Sequence, residues 1–200
     1  AVNLLDFGIL TEILIDDSDD AVYELGSAIP LKDGYSLKLT VATDKKGILA
    51  ELLKNKKVVD KKAVLLPGTY VYTSNVGNAI GVPLIAARLN EPIFLESKSY
   101  FKVNGIWQIS ENPIQVGKGN RYGVMTVSGV DSNDAVITMN NQDNSITLSK
   151  NKDTPLMGDL SVRTADQDDI TADNPLRFYI FKDIDIVSLV DGSDSPGGKA

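Results

Sequence analysis

The chain has 200 residues, of which 42% are hydrophobic and 24% are charged, and its net charge at pH 7 is −7. This composition is typical of a globular protein and excludes a disordered chain. The sequence contains no cysteine and no histidine, which excludes disulfides, cysteine-ligated zinc and every catalytic site that needs a histidine base or a cysteine nucleophile.

The charge is unevenly distributed along the sequence. Residues 1–109 carry 13 acidic and 12 basic side chains, whereas residues 110–200 carry 14 and 8. Such an acidic surface repels nucleic acid, so we expect no nucleic-acid partner. No apolar run approaches the ~20 residues that cross a bilayer. We therefore expect this chain neither to insert into a membrane nor to begin with a signal peptide.

In the first half of the chain, apolar residues recur at every second position. The segment GYSLKLTVATD (34–44) places Tyr35, Leu37 and Leu39 on one face, which predicts a half-buried strand. VVDKKAVLLPGTYVYTS (58–74) continues with β-branched and aromatic residues. The best helix candidate is IGVPLIAARLN (80–90), where Pro83 limits any helix to a turn or two.

The same alternation resumes in the second half of the chain. DAVITMN (134–140) and SITLSK (145–150) are separated by the turn-forming residues NQDN (141–144) and predict a hairpin. LRFYIFKDI (176–184) alternates as a further strand. Short strands with turns every eight to twelve residues or so are typical of antiparallel sandwiches and barrels.

The sequence therefore predicts an all-β protein made of two connected antiparallel β-sandwich domains with little or no helix. We place the first sandwich at residues 1–108, the second at 109–186 and an acidic flexible linker at 187–200. These boundaries hold to within about ten residues, and a terminal strand could cross between domains. A single larger sandwich is the alternative.

Two sequence patterns resemble catalytic or binding motifs. Gly117, Gly119 and Gly123 form a glycine-rich segment, but a strand pattern follows it where a phosphate loop needs a helix. We interpret these glycines as turn or bulge residues with positive φ. Ser99 and Lys102 match the S-x-x-K pattern of serine–lysine nucleophiles, yet they lie in a strand pattern that points them to opposite faces. The sequence thus predicts neither a catalytic residue nor a cofactor.

Acidic clusters provide the remaining candidates. Aligned as a calcium-binding EF-hand loop, the first has Ala21 and Ser27 where glycine and glutamate are required. We predict no dedicated metal site and only a weak cation contact in this cluster, at Asp16, Asp17, Asp19 and Asp20. A second cluster, predicted to lie on the acidic surface, contains Asp166, Asp168, Asp169 and Asp173. Trp107 is predicted to be a structural anchor in a core or between domains.

Three strings resemble one protein family. FKVNGIWQISE (101–111), GDLSVRTAD (158–166) and LRFYIFKDI (176–184) follow GYSLKL (34–39) and are similar to the S-layer duplication domain of Methanosarcina-type archaeal surface-layer proteins. The resemblance implies a secreted, tandemly repeated cell-envelope module that tiles into a porous, acidic lattice. It implies that this chain is one copy from a longer protein. Because a lattice shares its energy among many small contacts, we expect an excised copy to be monomeric. Under this resemblance, the second acidic cluster would face the pores.

The sequence favours a structural, self-assembling cell-surface module without enzymatic activity. One alternative is an extracellular carbohydrate-binding or adhesive β-sandwich, for which exposed aromatics would be needed; the candidates are Tyr23, Tyr70, Tyr72, Tyr100 and Tyr122. A third hypothesis is a glycoside hydrolase, since two carboxylates about 5–10 Å apart would suffice.

Overall fold

A computed structural model describes residues 2–41 and 47–183. Within these ranges the chain forms seventeen β-strands and one short 3₁₀ helix, Leu4–Phe7. The all-β prediction is therefore confirmed. The linker predicted at 187–200 lies outside the described residues.

The chain divides into two compact units, Ala1–Val116 and Gly117–Ala200. The strands of the first unit are β1 (Ile9–Leu10), β2 (Ile13–Asp17), β3 (Ala21–Glu24), β4 (Ala28–Pro30), β5 (Tyr35–Val41), β6 (Gly47–Lys54), β7 (Lys57–Leu65), β8 (Gly68–Val76), β9 (Ala79–Phe94), β10 (Ser99–Ile109) and β11 (Ile114–Gln115). Those of the second unit are β12 (Arg121–Tyr122), β13 (Met125–Asp131), β14 (Val136–Asn140), β15 (Asp153–Met157), β16 (Leu160–Thr164) and β17 (Phe178–Lys182).

The first unit contains two large antiparallel sheets. One has the strand order β4-β5-β6-β7, and the other has the order β2-β10-β9-β8, with β3 also paired to β10. A single buried cluster contains side chains from both sheets, among them Leu37 and Leu52 from the first and Leu84 and Phe101 from the second. The two sheets therefore pack face to face as a sandwich whose core is drawn from alternate residues of each strand.

Strand β9 occupies the segment in which the sequence left room for a short helix, and that expectation is wrong. Pro83 lies inside this strand, opposite Thr73 of β8. The β8–β9 register shifts between Tyr72 and Thr73. Proline cannot donate a ladder hydrogen bond, so an irregularity at this point lets the strand continue.

Strand β10 is paired along one edge with two separate strands. Its first half pairs with β3 and its second half with β2, so the acidic bend between those strands lies opposite the middle of β10. The β9–β10 register shifts between Val103 and Ile106. Gly105 lies within this bulge at φ 124°, and a Cβ there would be 2.8 Å from the Asp17 carbonyl oxygen. The bulge thus requires glycine.

The second unit contains two three-stranded antiparallel sheets, β12-β13-β14 and β15-β16-β17. That these sheets form a second sandwich stays a prediction, as do the predicted domain ranges. Gly123 lies in the turn between β12 and β13 at φ 59°, and Gly119 has φ 91°. Because both lie in turns with positive φ, the interpretation of these two glycines as turn residues is confirmed, whereas for Gly117, which has no positive φ, it is wrong.

The hairpin predicted between residues 134–140 and 145–150 does not form. β14 pairs with β13, and residues 145–149 belong to no strand. Ile146 and Leu148 are half-buried while their neighbours are exposed, so the alternation is present without a ladder. The Ser149 carbonyl instead accepts a hydrogen bond from the Thr164 hydroxyl. Burial of alternate side chains therefore produced the strand-like pattern.

Candidate functional site

The outer face of the five-stranded sheet carries a cleft of about 430 Å³, here called the outer cleft. It is lined by Asp16, Asp17, Ser18, Thr69, Ala86, Arg88, Asn104, Gly105, Ile106 and Trp107. All these residues lie in the first unit. The volume falls within the roughly 300–1,000 Å³ typical of small-molecule sites.

The bulge in β10 explains why a cleft forms here. β2 ends at Asp17 and β3 begins at Ala21, so the edge strand is interrupted opposite Asn104 and Gly105. Gly105 lets the Asp17 backbone approach closely. A bulge and a broken edge strand at the same level leave a depression in a surface that would otherwise be flat.

Trp107 lies in a row that crosses the sheet beside this depression. It is opposite Asp16 of β2 and opposite Ala86 of β9. Directly opposed residues of antiparallel strands share a face. Both sequence neighbours of Trp107 are buried, so the row lies on the face that points away from the core. Trp107 itself is half-buried and also packs against the core cluster.

Several polar groups of the outer cleft have no partner. Among the described residues, the side chains of Asp16, Arg88 and Thr69 make no hydrogen bond and no ion pair, and the Trp107 indole N–H donates to no acceptor. Asn104 is engaged, because its amide accepts from Asn90 at 3.2 Å and donates to Asp20. Within the part of the chain that the structure describes, the cleft therefore offers unpartnered donors and acceptors beside an indole.

A second depression extends the outer cleft. It has a volume of about 310 Å³ and shares Thr69, Arg88 and Asn104 with the first. Its other lining residues are Pro67, Gly68, Leu89 and Asn90. The two depressions together form a groove with Arg88 at their junction.

Residues that follow Trp107 form a polar clasp between the two sheets, here called the 108–111 clasp (Gln108, Ser110 and Glu111). The Gln108 amide is only 1% exposed. It accepts a hydrogen bond from the Lys32 backbone N–H at 2.9 Å and donates to the Lys32 carbonyl at 3.1 Å. Both polar ends of a buried amide are thus satisfied by one residue, which lies in the connection between β4 and β5 of the opposite sheet.

Glu111 completes the clasp through a charged contact. Its carboxylate accepts a hydrogen bond from the Tyr35 hydroxyl at 2.8 Å and forms an ion pair with Lys54. The Lys54 ammonium holds the pKa of Glu111 below its ordinary value, and the Tyr35 hydroxyl acts in the same direction. Burial, together with the hydrogen bond to Glu111, raises the pKa of Tyr35. The clasp is a structural arrangement that joins β10 to β5 and β6.

The first acidic cluster forms the bend between β2 and β3. Asp17 accepts a hydrogen bond from the Asp19 backbone N–H at 2.8 Å. Asp20 pairs with Lys102 and Asn104, and the hydrogen bond from Lys102 lowers the pKa of that carboxyl most strongly. Within residues 2–41 and 47–183, no group of three acidic residues is arranged to hold a metal ion. The weak cation contact stays a prediction.

The second acidic cluster lies in the loop after β16. Asp166 and Asp168 both pair with Lys150, at 3.3 Å for Asp166, and both carboxylates raise the pKa of that lysine. The Asp169 carbonyl accepts a hydrogen bond from the Asn174 side chain at 2.8 Å. Asp169 and Asp173 are exposed. The predicted role of this loop as an acidic surface is not tested by these contacts and stays a prediction.

Sequence reasoning did not identify the outer cleft. Tyr70, counted among the exposed aromatics, is only 1% exposed and donates to Asp60 at 2.8 Å, so that expectation is wrong. Ser99 and Lys102 lie in strand β10 as expected. One usable signal was present: Asn104-Gly105 interrupts a strand pattern, and glycine in such a place indicates a bulge or a close backbone approach.

Comparison with known proteins identifies the family to which the chain belongs. A search of curated proteins found no match to the chain. A sequence profile described as S-layer protein matches residues 1–166, which include the whole first unit and β12 to β16 of the second.

The S-layer family consists of structural components of the layer that covers the cell surface. Among the described residues, no helix has the length and apolar character needed to span a membrane. The narrower likeness to Methanosarcina-type proteins stays a prediction. Because the matched region covers most of the sequence, the chain belongs to the S-layer protein family.

Proposed function

We propose that this chain is a lateral building block of a porous, acidic surface lattice. The observation that carries the proposal is the S-layer family match over residues 1–166. A surface-layer component must present contacts on several sides, and heterologous contacts of that kind extend into arrays where they do not close into rings.

Exposed apolar side chains on β17 support a lateral contact. Phe178, Tyr179 and Ile180 are 59%, 54% and 59% exposed. β17 is the outer strand of its sheet, paired only with β16 among the described strands. Exposed strand edges and apolar patches are typical sites of association between chains. We propose that β17 contacts a neighbouring copy.

The distribution of charge supports an acidic pore wall. Of the net charge of −7, −6 belongs to residues 110–200, and the second acidic cluster lies in that part. Carboxylates lining a pore would attract cations and repel anions within a Debye length of about 8 Å at physiological salt. We propose that Asp166, Asp168, Asp169 and Asp173 contribute to such a wall.

Electron microscopy of the full-length protein tests the lattice. Spread on a lipid monolayer or imaged in native envelopes, the protein should form two-dimensional arrays, whereas the isolated 200-residue chain should stay monomeric in analytical ultracentrifugation. We expect the second result because a lattice divides its binding energy among many small contacts. Full-length protein that remains dispersed under all conditions would contradict the proposal.

A pair of variants tests the contact at β17. In the full-length protein, Phe178→Asp should abolish or fragment the arrays because it places a charge in an apolar contact. Phe7→Asp is the matched control, since Phe7 is also exposed, at 42%, but lies in the 3₁₀ helix of the first unit and not in β17. Equal lattice loss in both variants would rule out a specific role for β17.

A further inference from the structure

We propose that the outer cleft binds a neutral oligosaccharide, with the Trp107 indole as the stacking surface. This inference is independent of lattice assembly and concerns the first unit alone. It depends on three observations: the position of the indole, the unpartnered polar groups around it, and the extension of the cleft along the sheet.

The position of Trp107 suits a flat ligand. Its strand neighbours on the same face are Asp16 and Ala86, and the methyl group of Ala86 is too small to cover an indole. The side chain stays half-buried, so it is anchored to the core cluster while part of it lines the cleft. A pyranose ring presents a face of C–H groups, and an immobilised aromatic surface provides a large apolar contact for such a face.

The unpartnered polar groups match the hydrogen bonding of sugar hydroxyls. A hydroxyl both donates and accepts. Arg88 and the Trp107 N–H can donate, Asp16 can accept, and the Thr69 hydroxyl can do either; none of these groups has a partner among the described residues. A ligand that carries several hydroxyls can satisfy both kinds of group at once.

The local charge selects against charged ligands. Asp16 and Arg88 place one carboxylate and one guanidinium in the cleft. Asp17 alternates with Asp16 along β2, and its carboxylate accepts a hydrogen bond from the Asp19 backbone N–H. A uronate or phosphate would meet the Asp16 carboxylate at short range, which is unfavourable. A lysine-rich peptide would meet the like charge of the Arg88 guanidinium, which is also unfavourable. A neutral saccharide avoids both conflicts.

The shape of the groove favours more than one sugar unit. The second depression continues from Thr69, Arg88 and Asn104 toward Pro67 and Asn90. Arg88 lies at the junction, where it can contact two successive sugars. Tetrasaccharides are therefore better probes than monosaccharides.

The single tryptophan provides a direct measurement. Because the sequence contains one tryptophan, all selectively excited indole emission comes from the outer cleft. We would titrate the whole chain with a β-1,4-glucan tetrasaccharide and an α-mannan tetrasaccharide. At least one should cause a saturable change in emission and protect the indole from acrylamide quenching. Absence of any saturable change with both, together with no heat in calorimetry, would overturn the proposal.

Variants then locate the binding. Arg88→Ala and Asp16→Ala alter exposed side chains that have no partner among residues 2–41 and 47–183. The fold should therefore persist while affinity falls about tenfold in each, as expected for loss of a hydrogen bond to a charged group. Arg177→Ala removes another exposed arginine that does not line the cleft, and its affinity should equal that of the unmodified chain. Unchanged binding in Arg88→Ala, or an equal loss in Arg177→Ala, would overturn the assignment.

Comparing charged with neutral ligands tests whether the outer cleft prefers an uncharged ligand. An oligogalacturonate of the same length and a tetralysine peptide should both bind more weakly than the better neutral tetrasaccharide. Tighter binding of either one would exclude a neutral saccharide as the ligand. Trp107→Phe, measured by calorimetry, should weaken binding while circular dichroism shows an intact fold. If it unfolds, the quenching measurement on the unmodified chain still decides the role of the indole.

Discussion

The two units are built from the same antiparallel strands but bury very different amounts of apolar surface. The first unit has a core cluster of twenty buried apolar side chains. Among residues 117–183, only four side chains are buried, and two of these, Thr164 and Gln167, are polar. Since apolar burial is the main term that offsets chain entropy, the comparison teaches that strand content alone does not measure stability.

Separating the units should have the largest effect. A fragment of residues 1–116 should unfold cooperatively, because it retains the entire core cluster. A fragment of residues 117–200 should show no cooperative transition, since its described part buries only Val127 and Val162 as apolar side chains. Thermal unfolding followed by circular dichroism checks both. A sharp transition in the fragment of residues 117–200 would contradict the expected difference in stability between the two units.

Among the described residues, each unit contains one buried glutamine, so substituting the two glutamines compares how much hydrogen bonding of a buried side chain stabilises each unit. Gln108→Leu should cost about 3 kcal/mol, because it strands the backbone N–H and carbonyl of Lys32. Gln167→Leu should cost about 1 kcal/mol. The Gln167 amide nitrogen donates to carbonyls such as that of Asn174 at 2.9 Å, but its oxygen has no partner among the described residues.

The stability changes caused by Gln108→Leu and Gln167→Leu are measured in the whole chain. Urea unfolding followed by Trp107 emission reports on the first unit, and hydrogen exchange of peptides from 117–183 reports on the second. Equal costs for the two substitutions would mean that the 108–111 clasp contributes no more than the loop around Gln167.

The same Val→Ala substitution at one buried position in each unit compares the apolar packing of the two units. Val82→Ala should destabilise the first unit by about 2 kcal/mol, and Val162→Ala should destabilise the second by about 1 kcal/mol. The two side chains are 3% and 4% exposed, so burial is matched. The larger cost is expected where dense neighbours prevent the cavity from collapsing. The same two methods measure the pair, and a reversed order would contradict a better-packed first unit.

The smallest expected effect concerns two paired acids. Lys54 lowers the pKa of Glu111 below 4.5, and Arg163 lowers that of Asp153 below its ordinary value of 3.8. A carboxyl whose pKa is lower in the folded state contributes stability that is complete above its unfolded pKa and is lost as the pH falls through the folded pKa. Both pairs therefore stabilise at neutral pH and cease to do so in acid.

Replacing each carboxylate by the matching amide measures how much each of the two ion pairs contributes to stability. Glu111→Gln should lower stability at neutral pH by about 1 kcal/mol and flatten the acid limb of the stability curve. Asp153→Asn should change it less, and the change should vanish at high salt, because that pair is more exposed, at 45% and 46%. Thermal midpoints measured from neutral to acid pH check the pair. An equal loss of stability in both variants that does not depend on salt would mean that solvent exposure does not determine the strength of the two ion pairs.

Much of the first unit was predictable because its strands alternate cleanly. Tyr35, Leu37 and Leu39 are buried on one face as the period-two pattern predicted. Residues 145–150 show the limit of that pattern: alternation reports which side chains are buried and does not specify which backbone groups pair. β9 shows a second limit, because the sheet accommodated Pro83 through a shift of register.

The sequence by itself determined the all-β class and the absence of histidine and cysteine chemistry, because these depend on composition and local periodicity. The resemblance to a surface-layer family depends instead on particular residue strings such as FKVNGIWQISE (101–111). Only the tertiary structure decided where the edge strand breaks, which aromatic residues stay accessible and which polar groups lack partners. Tyr70 is enclosed while Trp107 lines a cleft. The reason is that register and bulges, which depend on contacts between distant strands, assign each side chain to the core or to the surface.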